Sequence, residues 1–274
     1  MDKTIDMCRN ASKQMRIDVI RMTRHSGNIG AHIGGSLSMI EIMAVLYNGV
    51  IKFKKDDTTW EGRDRFILSK GHGVMAQYAA MKSIGLLSDD DLMTFKNNET
   101  RLYAHPSMNL QIGIEFSSGS LGQGLSLGVG TALALRKKNN YSSHVYVLVG
   151  DGECNEGQIW EAAMAASHFK LNNLTVIVDK NKLQYDGETA DVMNMDNFAA
   201  KWSAFGFETL TVDGHSVEQL LVAFRTGTNK PKAIIAETVK GKGVSFMENN
   251  PAWHNNRLTE DQYKQAMAEQ GVTV

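Results

Sequence analysis

A doubly wound α/β sheet, mainly parallel and flanked by helices, is the fold class the sequence predicts, on three observations. Two β-rich runs, residues 145–149 (Val-Tyr-Val-Leu-Val) and 174–178 (Leu-Thr-Val-Ile-Val), are separated by a helix-length stretch at 156–170, the spacing of a parallel strand pair with its crossover. Strand-like runs recur at 207–212 and 233–236, joined by a helix through Phe224 with Ser216 at its N-cap. A short apolar strand, Phe66-Ile67-Leu68, precedes a further helix at 74–84. No composition break divides the 274 residues, so a single domain over 1–274 is expected, with N-terminal helices and a C-terminal helix.

Taken in order, Ile5, Met15, Val19, Ile20 and Met22 fit one face of an amphipathic helix over 4–25, which ends in the glycine-rich Ser26-Gly27-Asn28-Ile29-Gly30. A second helix is expected to start near Ser36 or Ser38. Its apolar set, Met39, Ile42, Met43, Val45 and Leu46, is dense enough to be buried, and Asn48-Gly49 marks its end. Residues 119–130 hold five glycines and run on into 131–138, a tight loop leading into a helix whose backbone comes close to its neighbours and to any ligand. Residues 259–270 are expected to form a terminal helix. In such a sheet ligands bind beyond the carboxyl ends of the strands, where residues 69–72, 150–152, 181 and 237–243 are expected.

Composition excludes several classes of function. A net charge of -1 gives no support for broad nucleic-acid binding, so any affinity for phosphate must come from a local site. No run of about 18 apolar residues is present that would cross a bilayer. The start, Met1-Asp2-Lys3-Thr4, does not resemble a signal peptide, and two cysteines, Cys8 and Cys154, without a metal-type spacing point to a reducing compartment. A cytoplasmic location is expected.

The chemistry concentrates at Gly150-Asp151-Gly152, where a strand delivers a carboxylate between two glycines before a helix opens near Glu156. A carboxylate there can hold a hard divalent cation, and flanking glycines let backbone N–H groups approach phosphate oxygens. The same aspartate can also serve only to cap the following helix. Asn181, at the end of the next strand, lies at the same sheet edge and offers a second, neutral oxygen.

Of the eight histidines, His25, His144, His168 and His215 carry no local reason for a functional role. His72 sits between two glycines just after a strand, and His105 precedes Pro106, which fixes an extended backbone suited to a loop residue aimed into a cleft. His32 lies just before a helix, and His254 follows the Gly241-Lys242-Gly243 segment. Lys240 and Lys242 are either solvated or phosphate-facing. Glu156 and Glu161 have a bland reading as favourable charge near a helix N-terminus.

The Gly-Asp-Gly turn, the intervening helix and the strand-end Asn resemble the thiamin-diphosphate motif of thiamin-dependent enzymes. Asp64-Arg65-Phe66-Ile67-Leu68-Ser69-Lys70-Gly71-His72-Gly73, then His105-Pro106, Gly119-Ser120-Leu121-Gly122-Gln123-Gly124, Lys240-Gly241-Lys242-Gly243-Val244 and His254 resemble, in that order, the N-terminal half of a transketolase. The resemblance covers essentially the whole chain. It implies the thiamin-diphosphate-binding fold, with thiamin diphosphate and Mg²⁺ (Ca²⁺ or Mn²⁺ substituting) as cofactors. It implies Asp151, Asn181 and the Leu183 carbonyl as metal ligands. His72, Gly119, Leu121, Gly152 and Asn181 would line the cofactor, with Glu156 in a supporting acidic network at a dimer interface. His32, His105 and His254 would contact substrate hydroxyls and move protons. One departure stands out: the family's Ser-Gly-His-Pro-Gly becomes Ser26-Gly27-Asn28-Ile29-Gly30, so either Asn28 or His32 is the equivalent of the first family histidine.

The implied reaction passes a two-carbon ketol unit from a ketose phosphate to an aldose phosphate, with the cofactor as electron sink. In the family a glutamate from a separate pyrimidine-binding domain activates the cofactor. With the sequence ending at Val274, the expectation is an N-terminal subunit of a split transketolase, completed by a C-terminal subunit carrying that domain, with homodimer contacts and an α2β2 assembly. The alternatives are the α subunit of a 2-oxo acid dehydrogenase, in which His105 would be idle, and a non-catalytic phosphate-ligand binding protein.

Overall fold

The computed structural model describes residues 3–274; Met1 and Asp2, with which the expected domain begins, lie outside the described residues. The chain opens with helices α1 (Lys3–His25), α2 (Ile33–Leu37) and α3 (Ile40–Val45), then strand β1 (Arg65–Leu68), α4 (Val74–Ser83) and the short α5 (Asp89–Leu92). Next come α6 (Gln123–Lys137), β2 (Val145–Gly150), α7 (Gly157–His168) and β3 (Leu174–Lys180). A small hairpin, β4 (Leu183–Gln184) and β5 (Gly187–Glu188), leads into α8 (Thr189–Met193) and α9 (Phe198–Ala204). The chain closes with β6 (Glu208–Asp213), α10 (Val217–Arg225), β7 (Lys232–Glu237) and α11 (Glu260–Glu269).

Five strands form one sheet in the order β1-β2-β3-β7-β6, and every pairing in it is parallel. The near-continuous apolar runs of the central strands have their cause here: both faces are covered, so neither face selects polar residues. Alternate strand residues enter two cores. Phe66, Leu68, Tyr146, Leu148, Ile177 and Ile234 pack with α1 to α4 and α10. Val145, Val147, Val149, Val176, Val178 and Ile235 pack with α6, α7 and α9. Because the pairings are parallel, Leu68, Gly150, Lys180 and Glu237 all end at one edge, and the loops that follow them converge.

The expected second helix is corrected. Helical structure starts earlier, at Ile33, breaks at Ser38–Met39, and ends in a wider π turn over Leu46–Val50. At the break the Ser38 hydroxyl donates to the buried Asp179 carboxylate at 2.6 Å, a partner 141 positions away. The crossover expected over 156–170 is trimmed to Gly157–His168, with extended Glu156 as its N-cap. α5, α9 and the β4–β5 hairpin were not expected, being too short for periodicity to register; Ser88 and Asn197 cap the two helices.

Candidate active site

Each strand end delivers a polar group to one place. After β1 the chain turns so that Lys70, 1% exposed, reaches back beneath the sheet edge. Its ammonium donates to the Gly35 carbonyl at 2.8 Å and forms a buried ion pair with Asp179, near the end of β3. Burial alone would raise the Asp179 carboxyl, but Lys70 outweighs it, and bonds from Ser38 and Thr238 help hold the group below the usual carboxylate range. Four segments are thereby tied together beneath the site.

β2 ends at Gly150, and Asp151 follows as the N-cap of a 3-10 turn over Gly152–Asn155. Asp151 is 3% exposed; its carboxylate accepts from Gly152 N–H at 2.9 Å and Lys182 N–H at 2.6 Å. Burial and the neighbouring Asp179 push its carboxyl up to about 6. Across from it, Asn181 Oδ1 accepts from Leu183 N–H at 3.1 Å, while the Leu183 carbonyl accepts from Lys240 Nζ at 2.9 Å. The cap reading and the ligand reading are compatible, because a carboxylate accepting two N–H bonds keeps free lone pairs.

A cavity of about 320 Å³ opens at this edge, lined among others by Lys70, His72, Leu121, Asp151, Gly152, Glu156, Asn181, Leu183, Tyr185, Lys240 and His254. The two lysines left open by the sequence now separate. Lys240 is buried in the cavity wall, its ammonium 2.9 Å from His254 Nδ1, and burial followed by Lys70 brings it down to about 8. Lys242 turns outward and pairs with Glu248 at 3.3 Å.

The four histidines singled out in the sequence meet. The His32 ring centroid lies 5.6 Å from that of His72, 5.7 Å from His105 and 5.4 Å from His254, and His72 and His254 are 5.2 Å apart. All four are shifted toward the neutral form, by burial first: His32 to about 4, His254 to about 3, His105 lowered, and His72 well below the ordinary value. Nearby ammonium groups add to this, Lys96 at His32 and His105, and Lys240 at His254. Asn28 lies elsewhere, its side chain accepting from Arg257 at 2.7 Å beside a surface cleft, so of the two candidates only His32 reaches the other three histidines.

The remaining histidines are accounted for locally: His25 meets Asn97, His144 meets Thr175, His168 packs on Phe169, and His215 pairs with Glu41. Gly119 does not line the cavity itself; it backs His105, whose ring would lie 3.2 Å from a Cβ at that position. Glu156 is exposed at the cavity rim beside Gly122.

The family profile described as "Transketolase, thiamine diphosphate binding domain" matches residues 7–273. The chain belongs to the transketolase family. It is 41% identical to the 6-deoxy-6-sulfo-D-fructose transketolase subunit of a Clostridium species, over 89% of this chain and 90% of that one. It is 36% identical to an apulose-4-phosphate transketolase subunit of Phocaeicola vulgatus, over 97% and 94% of the two chains. Among solved structures, the transketolase of Campylobacter jejuni superposes with a TM-score of 0.88 at 28% identity, covering all of this chain and 43% of that one. The chain thus spans about two fifths of the solved transketolases and nearly the whole of the separately named subunits.

As a transketolase diphosphate-binding domain, the site fits its cofactor on its own chemistry. Asp151 is a buried carboxylate with no ion-pair partner among the described residues, and it shares a wall with two neutral oxygens, Asn181 Oδ1 and the Leu183 carbonyl. Hard oxygen donors of this kind suit a divalent cation. Gly152 forms a cradle against Gln184, whose Oε1 would lie 2.6 Å from any Cβ there. Lys70, Lys240 and the neutral histidines leave the cavity rich in donors for an anion.

Sequence reasoning missed Glu153, Asp179 and Lys70 as site-building residues. Glu153 is 3% exposed and accepts from Gly122 N–H and Gly150 N–H, each at 2.9 Å, and from the Ser69 hydroxyl. It joins three of the family's motifs, and burial raises its carboxyl. The only signal in the sequence was an acidic residue directly after Gly-Asp-Gly, which a helix N-terminus explains equally well.

Proposed function

We propose that this chain is the diphosphate-holding subunit of a two-chain, thiamin-diphosphate- and Mg²⁺-dependent transketolase that moves a two-carbon ketol unit between sugar phosphates. The observation that carries this is the convergence of His32, His72, His105 and His254 beside the wall formed by Asp151, Asn181 and Leu183. When bound, thiamin diphosphate supplies a nucleophilic ring carbon and an electron sink for carbon–carbon cleavage.

This chain's own residues bind, orient and move protons. Asp151, Asn181 Oδ1 and the Leu183 carbonyl hold the cation, and Gly152 presents its edge of the turn to phosphate oxygens. Lys240 offsets diphosphate charge, and an anion beside Lys240 and His254 raises the affinity of the nearby rings for protons, bringing their titration closer to neutral pH than burial alone allows. His32 and His105 face each other at 5.7 Å, spaced to contact successive hydroxyls of a sugar rather than one atom.

A completing chain with the pyrimidine-binding domain is proposed because the relatives this chain spans almost end to end are themselves named as subunits. An α2β2 assembly and a cytoplasmic location are proposed with it, the latter from the buried thiols of Cys8 and Cys154, two cysteines without a metal-type spacing. Those relatives are named for different sugars, so the donor is to be found by screening xylulose 5-phosphate, apulose 4-phosphate and 6-deoxy-6-sulfo-D-fructose. The test is ketol transfer by the co-expressed pair against each chain alone, beside calorimetry with thiamin diphosphate and Mg²⁺. Full transfer by this chain alone, or no metal-dependent binding with the partner present, sinks the proposal.

A further inference from the structure

Lys240 is carried by a short turn after β7, and something must hold that turn in place, since Gly241 and Gly243 both adopt left-handed backbone, with φ of +78° and +88°. Two of its backbone groups are taken by side chains of α1 and of the β6–α10 loop. Val239 N–H donates to His215 Nε2 at 2.9 Å, and the Lys242 carbonyl accepts from Arg16 Nε at 3.0 Å. Glu41 sits between the two, accepting from His215 Nδ1 at 2.8 Å through Oε2 and from Arg16 at 2.5 Å through Oε1.

The ring tautomer follows. Nε2 accepts the Val239 N–H and so carries no proton, which leaves Nδ1–H as the donor to Glu41. Burial would raise the Glu41 carboxyl, but His215 and Arg16 outweigh it and hold it low, so the acceptor stays charged. Gly243 presses on Arg16 so closely that a Cβ there would lie 2.5 Å from Nε. On the far side of the turn, Gly241 N–H donates to the Gly34 carbonyl at 3.1 Å. Lys240 therefore leaves a backbone pinned at Val239, Gly241 and Lys242.

We propose that Arg16, Glu41 and His215 form a positioning triad that fixes the 238–243 turn and so aims the Lys240 ammonium into the cavity. None of the three lines that cavity, and they act through Lys240 alone. The part that concerns diphosphate rests on the function proposed above; the part that concerns Lys240 does not.

The test has two arms on the full chain. In the first, lysines are labelled with acetic anhydride and read site by site by mass spectrometry. His215→Phe, which fills the space but neither accepts nor donates, should speed labelling of Lys240 by about tenfold while the equally buried Lys70 stays protected. His215→Gln, which keeps an acceptor for Val239 and a donor for Glu41, should restore protection. Should His215→Phe fail to fold, Arg16→Met, which removes the donor to the Lys242 carbonyl, gives the same reading at the other joint. Unchanged protection of Lys240, or equal loss at Lys70, overturns the triad.

In the second arm thiamin diphosphate with Mg²⁺ is titrated into wild type, His215→Phe, Lys240→Met and the double variant. A double variant no weaker than Lys240→Met supports action through Lys240, whereas additive losses point to a general structural role and overturn it. Failure of the wild type to bind even with its partner chain present counts against the proposed function only, and the labelling arm still decides the triad.

Discussion

At the scale of single residues, Asp151 and His32 make separable predictions. Asp151→Ala removes the buried acid from the wall shared with Asn181 and Leu183, so Mg²⁺-dependent thiamin diphosphate binding should vanish by calorimetry. An aspartate that only capped the following turn would cost about 1 kcal/mol of stability and leave binding intact. For His32, burial, His105 and two lysines hold the ring at about 4 against an ordinary 6.5, so an NMR titration of the free chain should show it neutral down to pH 5. The linkage sign follows: between about 4 and 6.5 the unfolded chain binds the proton that the folded chain refuses, so this residue makes stability fall as pH falls through that window. His32→Asn should flatten that slope in chemical denaturation. Asp151, raised to about 6, works in the opposite direction between 3.8 and 6, favouring the folded state at low pH, so the two are told apart only by separate variants.

At the scale of elements, the glycines of α6 distinguish close approach from open surface. Gly124 lies against Ser69, just past the end of β1, where a Cβ would stand 2.5 Å from Ser69 Oγ and Cβ, while a Cβ at Gly130 on the same helix would have nothing within 4 Å. Gly124→Ala should destabilise by about 1–3 kcal/mol and loosen the Ser69–Glu153 contact behind the cavity. Gly130→Ala should stabilise by about 0.4–1 kcal/mol, since a helix interior gains from alanine when no neighbour is struck. Both values are read from denaturant midpoints. The run of five glycines at 119–130 announced tight packing, but only the fold shows which ones meet a neighbour.

At the scale of the whole molecule, the cavity lies at the sheet edge where the loops after β1, β2, β3 and β7 converge. If the proposed function holds, this chain alone should show no ketol transfer, and mixing with its partner should restore it together with a rise in mass to an α2β2 particle by light scattering. Activity without that rise would mean that one pair suffices and would remove the α2β2 part of the proposal.

The sequence by itself determined the five strands of the parallel sheet, the helices longer than about two turns and the identity of the chemical groups. Each rests on local information: an apolar run, a 3.6-residue period, a carboxylate between glycines, a histidine beside a proline. Only the tertiary structure decided which groups meet. His32, His72, His105 and His254 come from segments up to 222 positions apart: His72 and His254 follow β1 and β7, whose parallel pairing sends them to one edge, and the α1–α2 and α5–α6 connections bring His32 and His105 to the same place. It also decided that Lys240 faces inward and Lys242 outward, that Asn28 stands apart, and that Lys70 and Asp179 neutralise each other under the site. Burial and charge pairing arise from contacts across the chain, so no local pattern carries them.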